Sequence, residues 1–411
     1  MNKFILFIFS FISFSAFAQP QEATLLGTWN DSTIPPTVFF DNAYNEIWGL
    51  AVNDSEIAVI GTTLGTHFID VTDPTNPIEL TDAYVAGAAQ GVGIVHRDYH
   101  DLNGYLYIVC DEGQSTLQIV DISDLPNSTT VVYDSNEILT RSHNVFIDST
   151  QALLYACGVR KVGSNSFIPV QVIDISDPVN PVLLNDYSGI PYTHDIYIED
   201  NIAYANCGND GFFVVDFSDP TSPNLLGSMT TYTQQGYNHS GWLDTDGEHY
   251  YLADETWDMD IKTVDVSNFD DMSVVATFNA EQTLTTIPHN LIVRCNRLYV
   301  SYYYDGLQVY DISDPENPIR IYQYDTSTRP NTQNYEGAWG VYPFLPSGNI
   351  LVSDMQNGLF VLDAISEHNC ELILDANTPE DFVNNISIFP QPALDFIKIE
   401  LQATDLSLIH I

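Results

Sequence analysis

Basic side chains are scarce in this chain: 11 Lys and Arg stand against 55 Asp and Glu, a net charge of −44, with the acids spread along the sequence rather than gathered in one tail. A surface so short of cations cannot neutralise a phosphate backbone, which argues against nucleic acid as a partner. The acidity reads as a solvated surface that keeps the protein dispersed, with cation binding as its second reading. Beyond residue 18 no stretch approaches the roughly 18 uninterrupted apolar residues of a membrane helix. Five cysteines are an odd number and too few to staple 411 residues. Catalytic phrases are missing as well: there is no Gly-x-Ser-x-Gly elbow, His-Glu-x-x-His helix, phosphate loop or dinucleotide fingerprint. Asp244-Thr245-Asp246-Gly247 opens like a calcium loop, but the bidentate Glu is not where that loop needs it, and a hairpin turn accounts for it better.

What is present begins at the amino terminus. Met1, Asn2 and Lys3 precede an apolar run from Phe4 to Phe14 and the small-residue pattern Ala16-Phe17-Ala18. That order predicts a signal peptide over residues 1–18, removed on export. About 390 residues remain, rich enough in aromatic and β-branched side chains to fold.

One phrase recurs along them. It reads Asp70-Val71-Thr72-Asp73-Pro74, Asp121-Ile122-Ser123-Asp124, Asp174-Ile175-Ser176-Asp177-Pro178, Asp216-Phe217-Ser218-Asp219-Pro220, the degraded Asp265-Val266-Ser267-Asn268, Asp311-Ile312-Ser313-Asp314-Pro315, and a terminal Val361-Leu362-Asp363. Seven copies at a spacing of about fifty residues imply seven repeats of one supersecondary unit. Within Asp195 to Leu226 four short alternating or apolar runs mark four strands, and Asp210-Gly211 between the second and third supplies a tight hairpin turn. The Asp and Ser of the phrase accept backbone hydrogen bonds while its Pro ends pairing, so its carboxylates are structural. Such units bury both faces only by radial stacking, which predicts an all-β, seven-bladed propeller of four-stranded antiparallel blades over residues 19–370. Thr24-Leu25-Leu26-Gly27 repeats the fourth-strand phrase Asn224-Leu225-Leu226-Gly227, whereas the last repeat lacks its own fourth strand. The amino-terminal strand is therefore expected to complete the seventh blade.

These phrases resemble the choice-of-anchor B proteins with LVIVD-type repeats, over residues 23 to 364. The resemblance rests on the Asp-Ile-Ser-Asp-Pro repeats, on His239-Ser240-Gly241-Trp242 with Asp254-Glu255, on His289-Asn290-Leu291 leading to Gly306-Leu307-Gln308-Val309-Tyr310-Asp311, and on Ala338-Trp339-Gly340-Val341-Tyr342-Pro343 with Ser347-Gly348-Asn349. It implies an extracellular propeller joined to a carboxyl-terminal anchoring signal, and no particular reaction. After a linker over residues 371–385, the segment 386–411 resembles the opening of a type IX secretion sorting domain. Ile386-Ser387-Ile388-Phe389-Pro390-Gln391-Pro392-Ala393 carries the resemblance, with Gln391 where that phrase usually has Asn. The expected location is secreted or cell-surface. The expected partner is an extracellular ligand, carbohydrate, peptide or surface protein, met by a monomer.

Cys110, Cys157 and Cys207 fall near the ends of second strands and are expected as buried thiols. Cys295 and Cys370 fall on the same face of neighbouring blades and are expected to form a disulfide.

Aligning the starts of the innermost strands gives Trp48, His96, His143, His194, His239, His289 and Trp339, one per blade. First strands line a propeller's channel, so these seven side chains are expected to ring one mouth, with Glu46, Asp98, Glu255 and Glu336 close by. Each His taken singly reads as a packed, backbone-bonded repeat residue. Five in register suit a divalent metal ion or an anionic or sugar ligand, with His143, His194, His239 and His289 as the expected metal ligands. Two enlarged loops, Val159 to Phe167 and Glu255 to Asp260, share this face. A binding module is favoured over a metal-dependent hydrolase using the same site, because no nucleophile or acid–base pair stands out.

Overall fold

A computed structural model of the chain describes residues 19–164, 166–280, 285 and 287–363. The expected leader, linker and sorting segment, together with Cys370, lie outside the described residues. Seven four-stranded antiparallel blades form a β-propeller, two of them with an added two-residue strand: Gln21–Glu22 runs parallel to Ile319–Tyr324 in blade six, and Val85–Ala86 pairs with Gly65–Asp70 in blade one. Blade four shows the pattern: Asp195–Glu199, Ile202–Asn206, Phe212–Asp216 and Asn224–Met229 pair in sequence from the axis outward.

The alternation seen in the sequence packs both faces of every blade. Seven apolar clusters fill the seven interfaces between neighbouring blades, for example Leu154, Ala156 and Ile173 of blade three against Tyr107, Val109 and Ile119 of blade two. Burial of these strands, rather than hydrogen bonding alone, holds the ring. The recurrent phrase is the turn it was read to be. The first Asp of each full copy accepts the backbone N–H two residues on, as Ser176 to Asp174 (2.9 Å) and Ser313 to Asp311 (2.9 Å) show. Hairpin glycines Gly113, Gly211, Gly306 and Gly358 all have positive φ.

Ring closure follows the expected route. Leu25–Trp29 pairs antiparallel with Gly358–Leu362, the third strand of blade seven, and supplies that blade's outer strand. Leu26 and Trp29 pack into the cluster between blades seven and one. Gly27 is required there, because a Cβ would sit 2.4 Å from the Pro74 carbonyl oxygen of blade one. Among the described cysteines, Cys110, Cys157 and Cys207 are buried free thiols and Cys295 is disulfide-bonded.

Two outcomes are expected. Deleting residues 19–30 removes Leu26 and Trp29 from the core and opens the ring, lowering Tm by roughly 10 °C or more; an unchanged Tm would remove the closure argument. Peptide mapping without reductant should return Cys295 joined to Cys370, and recovery of both as free thiols would contradict the pairing.

Candidate functional site

The seven innermost strands lie side by side around the axis, so side chains from every blade meet there. Repeat geometry sets the first tier. In blades three, four and six the backbone N–H of His143, His194 and His289 bonds the carbonyl at the end of the neighbouring second strand, at Cys157, Asn206 and Ser301. In blades five and seven a β-bulge falls on His239 and Trp339 and turns the side chain to the same level. The rings then touch from one blade to the next: His96–His143 stacked at 4.4 Å between centroids, and, tilted, His143–His194 3.9 Å, His194–His239 4.1 Å, His239–His289 4.4 Å and His289–Trp339 4.3 Å. His96 and Trp339 lie 5.8 Å apart across the remaining gap.

Blade one departs from the alignment. Its inner strand begins at Tyr44, and a bulge between Tyr44 and Ile47 brings Glu46, not Trp48, to the polar part of the channel. Gly340 makes the room, since a Cβ there would come within 2.1 Å of Glu46 Oε1. Glu46 joins Asp98, Asn144, Asp195, Ser240 and Asn290 in a second, polar tier. Trp48 belongs to a third tier beyond it, with His100, Phe146, Tyr197, Trp242 and Tyr342, linked through Trp48–His100 (4.7 Å) and Tyr197–Trp242 (4.8 Å).

The histidine tier is covered rather than open. Phe40, Trp257, Tyr303 and Tyr335, from loops of different blades, cluster against Trp339. Glu255 belongs to this cover: its Oε1 accepts the Tyr303 hydroxyl at 2.5 Å and its Oε2 lies 3.8 Å from His239 Nε2. Asp254 anchors that loop, accepting from Lys262 (2.6 Å), with which it forms a fully buried ion pair, and from Tyr232 (2.7 Å) and the Gly236 N–H (3.0 Å). Of the two enlarged loops, 255–260 thus reaches the site. The other folds back on itself, with Arg160 over Phe167 at 4.0 Å and Phe167 against Tyr192. Glu336 is bound to Asn334 and Arg329 in a loop and does not line the channel cavities.

Hydrogen bonds fix the ring tautomers. His194 Nδ1 donates to the His239 carbonyl (3.0 Å) and His289 Nδ1 to the Trp339 carbonyl (2.5 Å), leaving each Nε2 with its lone pair. His239 Nδ1 and His96 Nδ1 have no partner within the described residues. Burial, reinforced by neighbouring imidazoles, pushes His96, His194 and His239 well below the ordinary histidine range and His289 to about 3. His143 differs: burial opposes its charge, but the Asp111 carboxylate on its Nδ1 (2.7 Å), with Glu112 and Asp98 behind, raises it above the usual value. The acids respond in the opposite sense. Burial lifts Glu46 well above the carboxylate range, Asp98 and Glu255 to about 7, and Asp195 to about 8.

Two groups bring three donor atoms within 4.8 Å of one another in this channel: His239, Glu255 and His289, and Glu46, His96 and Asp98. Of the four histidines expected to hold metal, His239 and His289 form such a group. His194 stands beside them with its Nε2 available, and His143 is tied to Asp111. A third group, Asp244, Asp246 and His249, lies at the hairpin turn, where Asp244 Oδ1 accepts the Glu248 and His249 N–H groups as a turn residue does.

Residues 102–132, 164–188, 191–231 and 289–326 match the LVIVD repeat. The chain carries LVIVD repeats. The four matches fall on blades two, three, four and six, and the last includes His289. No curated protein matches the chain. Among solved structures, a protein from Lactobacillus plantarum is similar over 74% of this chain and 92% of its own, at 15% identity and a TM-score of 0.56. The β-propeller domain of Cps50 (Swd1) from Myceliophteria thermophila is similar over 84% of this chain and 100% of its own, at 10% identity and a TM-score of 0.55. At these identities the likeness establishes the propeller fold of the LVIVD chain and nothing about its ligand.

The site makes stability depend on pH in a definite sense. Histidines held neutral below their unfolded value of about 6.5 cost stability only below that pH. Asp98 and Asp195, raised to about 7 and about 8, contribute stability while protonated and lose it as pH rises through those values. In chelator, the urea midpoint should therefore fall between pH 6.5 and 8, and less steeply in Asp195→Asn. A midpoint that rises over this window would contradict the assigned protonation.

Proposed function

We propose that the protein is a binding module acting outside the cytoplasm, and that it holds a first-row divalent cation such as zinc at the covered end of its channel. His239, His289 and Glu255 are the ligands, with His194 beside them as a fourth donor. The observation that carries this reading is the convergence of the three donor atoms within 4.8 Å, together with the His289 Nδ1 bond to the Trp339 carbonyl. Metal-bound histidines commonly donate their other nitrogen in this way, which fixes the tautomer and aims the lone pair at the ion. The 3.8 Å between His239 Nε2 and Glu255 Oε2 is close to the roughly 3.3–3.5 Å separating two ligands of a tetrahedral zinc. Two imidazoles and one carboxylate favour a borderline cation over calcium or magnesium.

Size supports an ion over a sugar. The cavity beside the metal ligands, walled by His239 and His289 but not by Glu255, measures about 20 Å³, room for a water or an ion but not for a sugar ring. His143, the histidine already bound to a carboxylate and biased toward its charged form, is the least suited to ligate. Action outside the cytoplasm is supported by the leader pattern ending at Ala18 and by the segment from Ile386. Among the described residues, no helix is long and apolar enough to cross a membrane.

Elemental analysis of the purified protein should find about one divalent transition metal per chain, lost in His239→Ala/His289→Ala with the melting curve still cooperative. Retention of the metal by that double variant would overturn the assignment. A hydrolase substrate screen decides between a binding module and a metal-dependent hydrolase: turnover abolished by the same variant would establish an enzyme.

A further inference from the structure

On the far side of the polar tier the channel widens into a cavity of about 80 Å³ walled by the half-buried rings of Trp48, Phe146, Tyr197 and Trp242. Three carboxyl groups, from Glu46, Asp98 and Asp195, form its inner end. Each is held in place by a backbone donor: Ile47 N–H to Glu46 Oε1 (3.0 Å), Val145 N–H to Asp98 Oδ2 (2.6 Å) and Ile196 N–H to Asp195 Oδ1 (2.8 Å). Two of the uncharged donors at this end are spent inside the protein. Asn290 Nδ2 donates to Glu46 Oε2 at 2.8 Å, and the Ser240 hydroxyl donates to the His289 carbonyl at 2.6 Å. Asn144 Oδ1 is a buried acceptor with no partner among the described residues. No lysine or arginine lines the cavity. The inner end thus offers acceptors and three carboxyl groups that a bound cation can ionise, and the walls offer the electron-rich faces of aromatic rings.

Three classes of ligand can be weighed against that surface. An anion meets three carboxyl groups and no cation. A hydrated metal ion uses the carboxylates but gains nothing from four aromatic walls. A pyranose brings neutral hydroxyls and no counter-charge for three carboxyl groups. A small cation with an apolar skin fits both halves, since ring faces attract it and carboxylates neutralise it. The −44 charge of the chain raises the local concentration of such cations.

We propose that this aromatic chamber binds the alkylammonium head group of an organic cation, with Trp48 and Trp242 as cation–π walls and Asp195 and Glu46 as its counter-charges. The chamber is separate from the metal ligands, so this inference does not rest on the metal reading.

Calorimetric titration of the mature protein with choline, n-butylamine and 3,3-dimethylbutan-1-ol, the uncharged isostere of choline, tests it. At least one of the two cations should bind about tenfold or more tighter than the alcohol, and quench tryptophan fluorescence. Trp242→Leu and Asp195→Asn should each weaken that cation about fivefold or more while keeping a cooperative melt. His239→Ala/His289→Ala should still bind it about tenfold or more tighter than the alcohol, whether or not metal is lost. A lysine-bearing peptide that outcompetes n-butylamine would identify a protein partner as the source of the head group; equal affinity would identify a free amine. Equal binding of choline and its isostere, no heat from either cation, or unaltered cation binding by Trp242→Leu and Asp195→Asn would overturn the proposal.

Discussion

The antiparallel pairing of Leu25–Trp29 with Gly358–Leu362 is the contact on which the rest of the molecule depends. Each blade is a twisted sheet that cannot bury two faces alone, and an open arc of seven would leave the outer faces of blades one and seven in water. Supplying blade seven's last strand from the amino terminus ties the two ends together and completes the cluster between those blades. Closure also fixes the axis: with the ring shut, seven inner strands are held at one radius, and side chains far apart in sequence must pack. Asn290 donating to Glu46, 244 residues away, is a direct product of that constraint.

The repeat made the fold legible, whereas the site was legible only in part. Turn phrases such as Asp311-Ile312-Ser313-Asp314-Pro315 carry their chemistry locally, so blade number, strand order and the buried thiols could be read directly. The histidines could be aligned because most of them precede or open their strands at the same distance from a recognisable second strand. Blade one broke the pattern physically: its inner strand starts at Tyr44, and the bulge before Ile47 absorbs residues that no spacing rule announces. Trp48 consequently lies with Tyr342 and His100, while Glu46 takes the polar position. The cover formed by Phe40, Trp257 and Tyr335 left no sequence signal, because three unrelated loops build it. Glu336 misled for the mirror reason, since proximity in sequence to Trp339 did not prevent Arg329 and Asn334 from engaging it.

The tiers divide the electrostatic problem of a closed channel. Burial makes charge expensive, and the protein answers differently at each level. At the histidine level the low-cost state is the neutral imidazole, with protons placed on Nδ1 wherever a backbone carbonyl is available. At the carboxyl level the hydrogen-bond partners of Glu46, Asp98 and Asp195 are donors, which favours the ionised form, while burial and mutual repulsion favour the protonated one. A positive charge meets both demands; no lysine or arginine lines either cavity, and within the chain His143, biased toward its charged form, supplies part of it.

That argument also orders the two ends of the channel. Neutral imidazoles with free lone pairs suit a compact, strongly polarising ion and need little space, consistent with a 20 Å³ cavity under an aromatic cover. Carboxyl groups backed by ring faces suit a diffuse positive charge carried on carbon, consistent with the larger 80 Å³ chamber. The polar residues Glu46, Asn144, Asp195 and Asn290 line both cavities, so occupancy of one alters the field felt at the other. Two cations on either side of one carboxyl tier repel through a poorly screened interior, yet each also releases the other from competition with a proton on that tier. Which effect prevails is set by how many of the three carboxyl groups the first cation ionises: one leaves protons for the second to displace, whereas three leave a shared negative charge that draws it in.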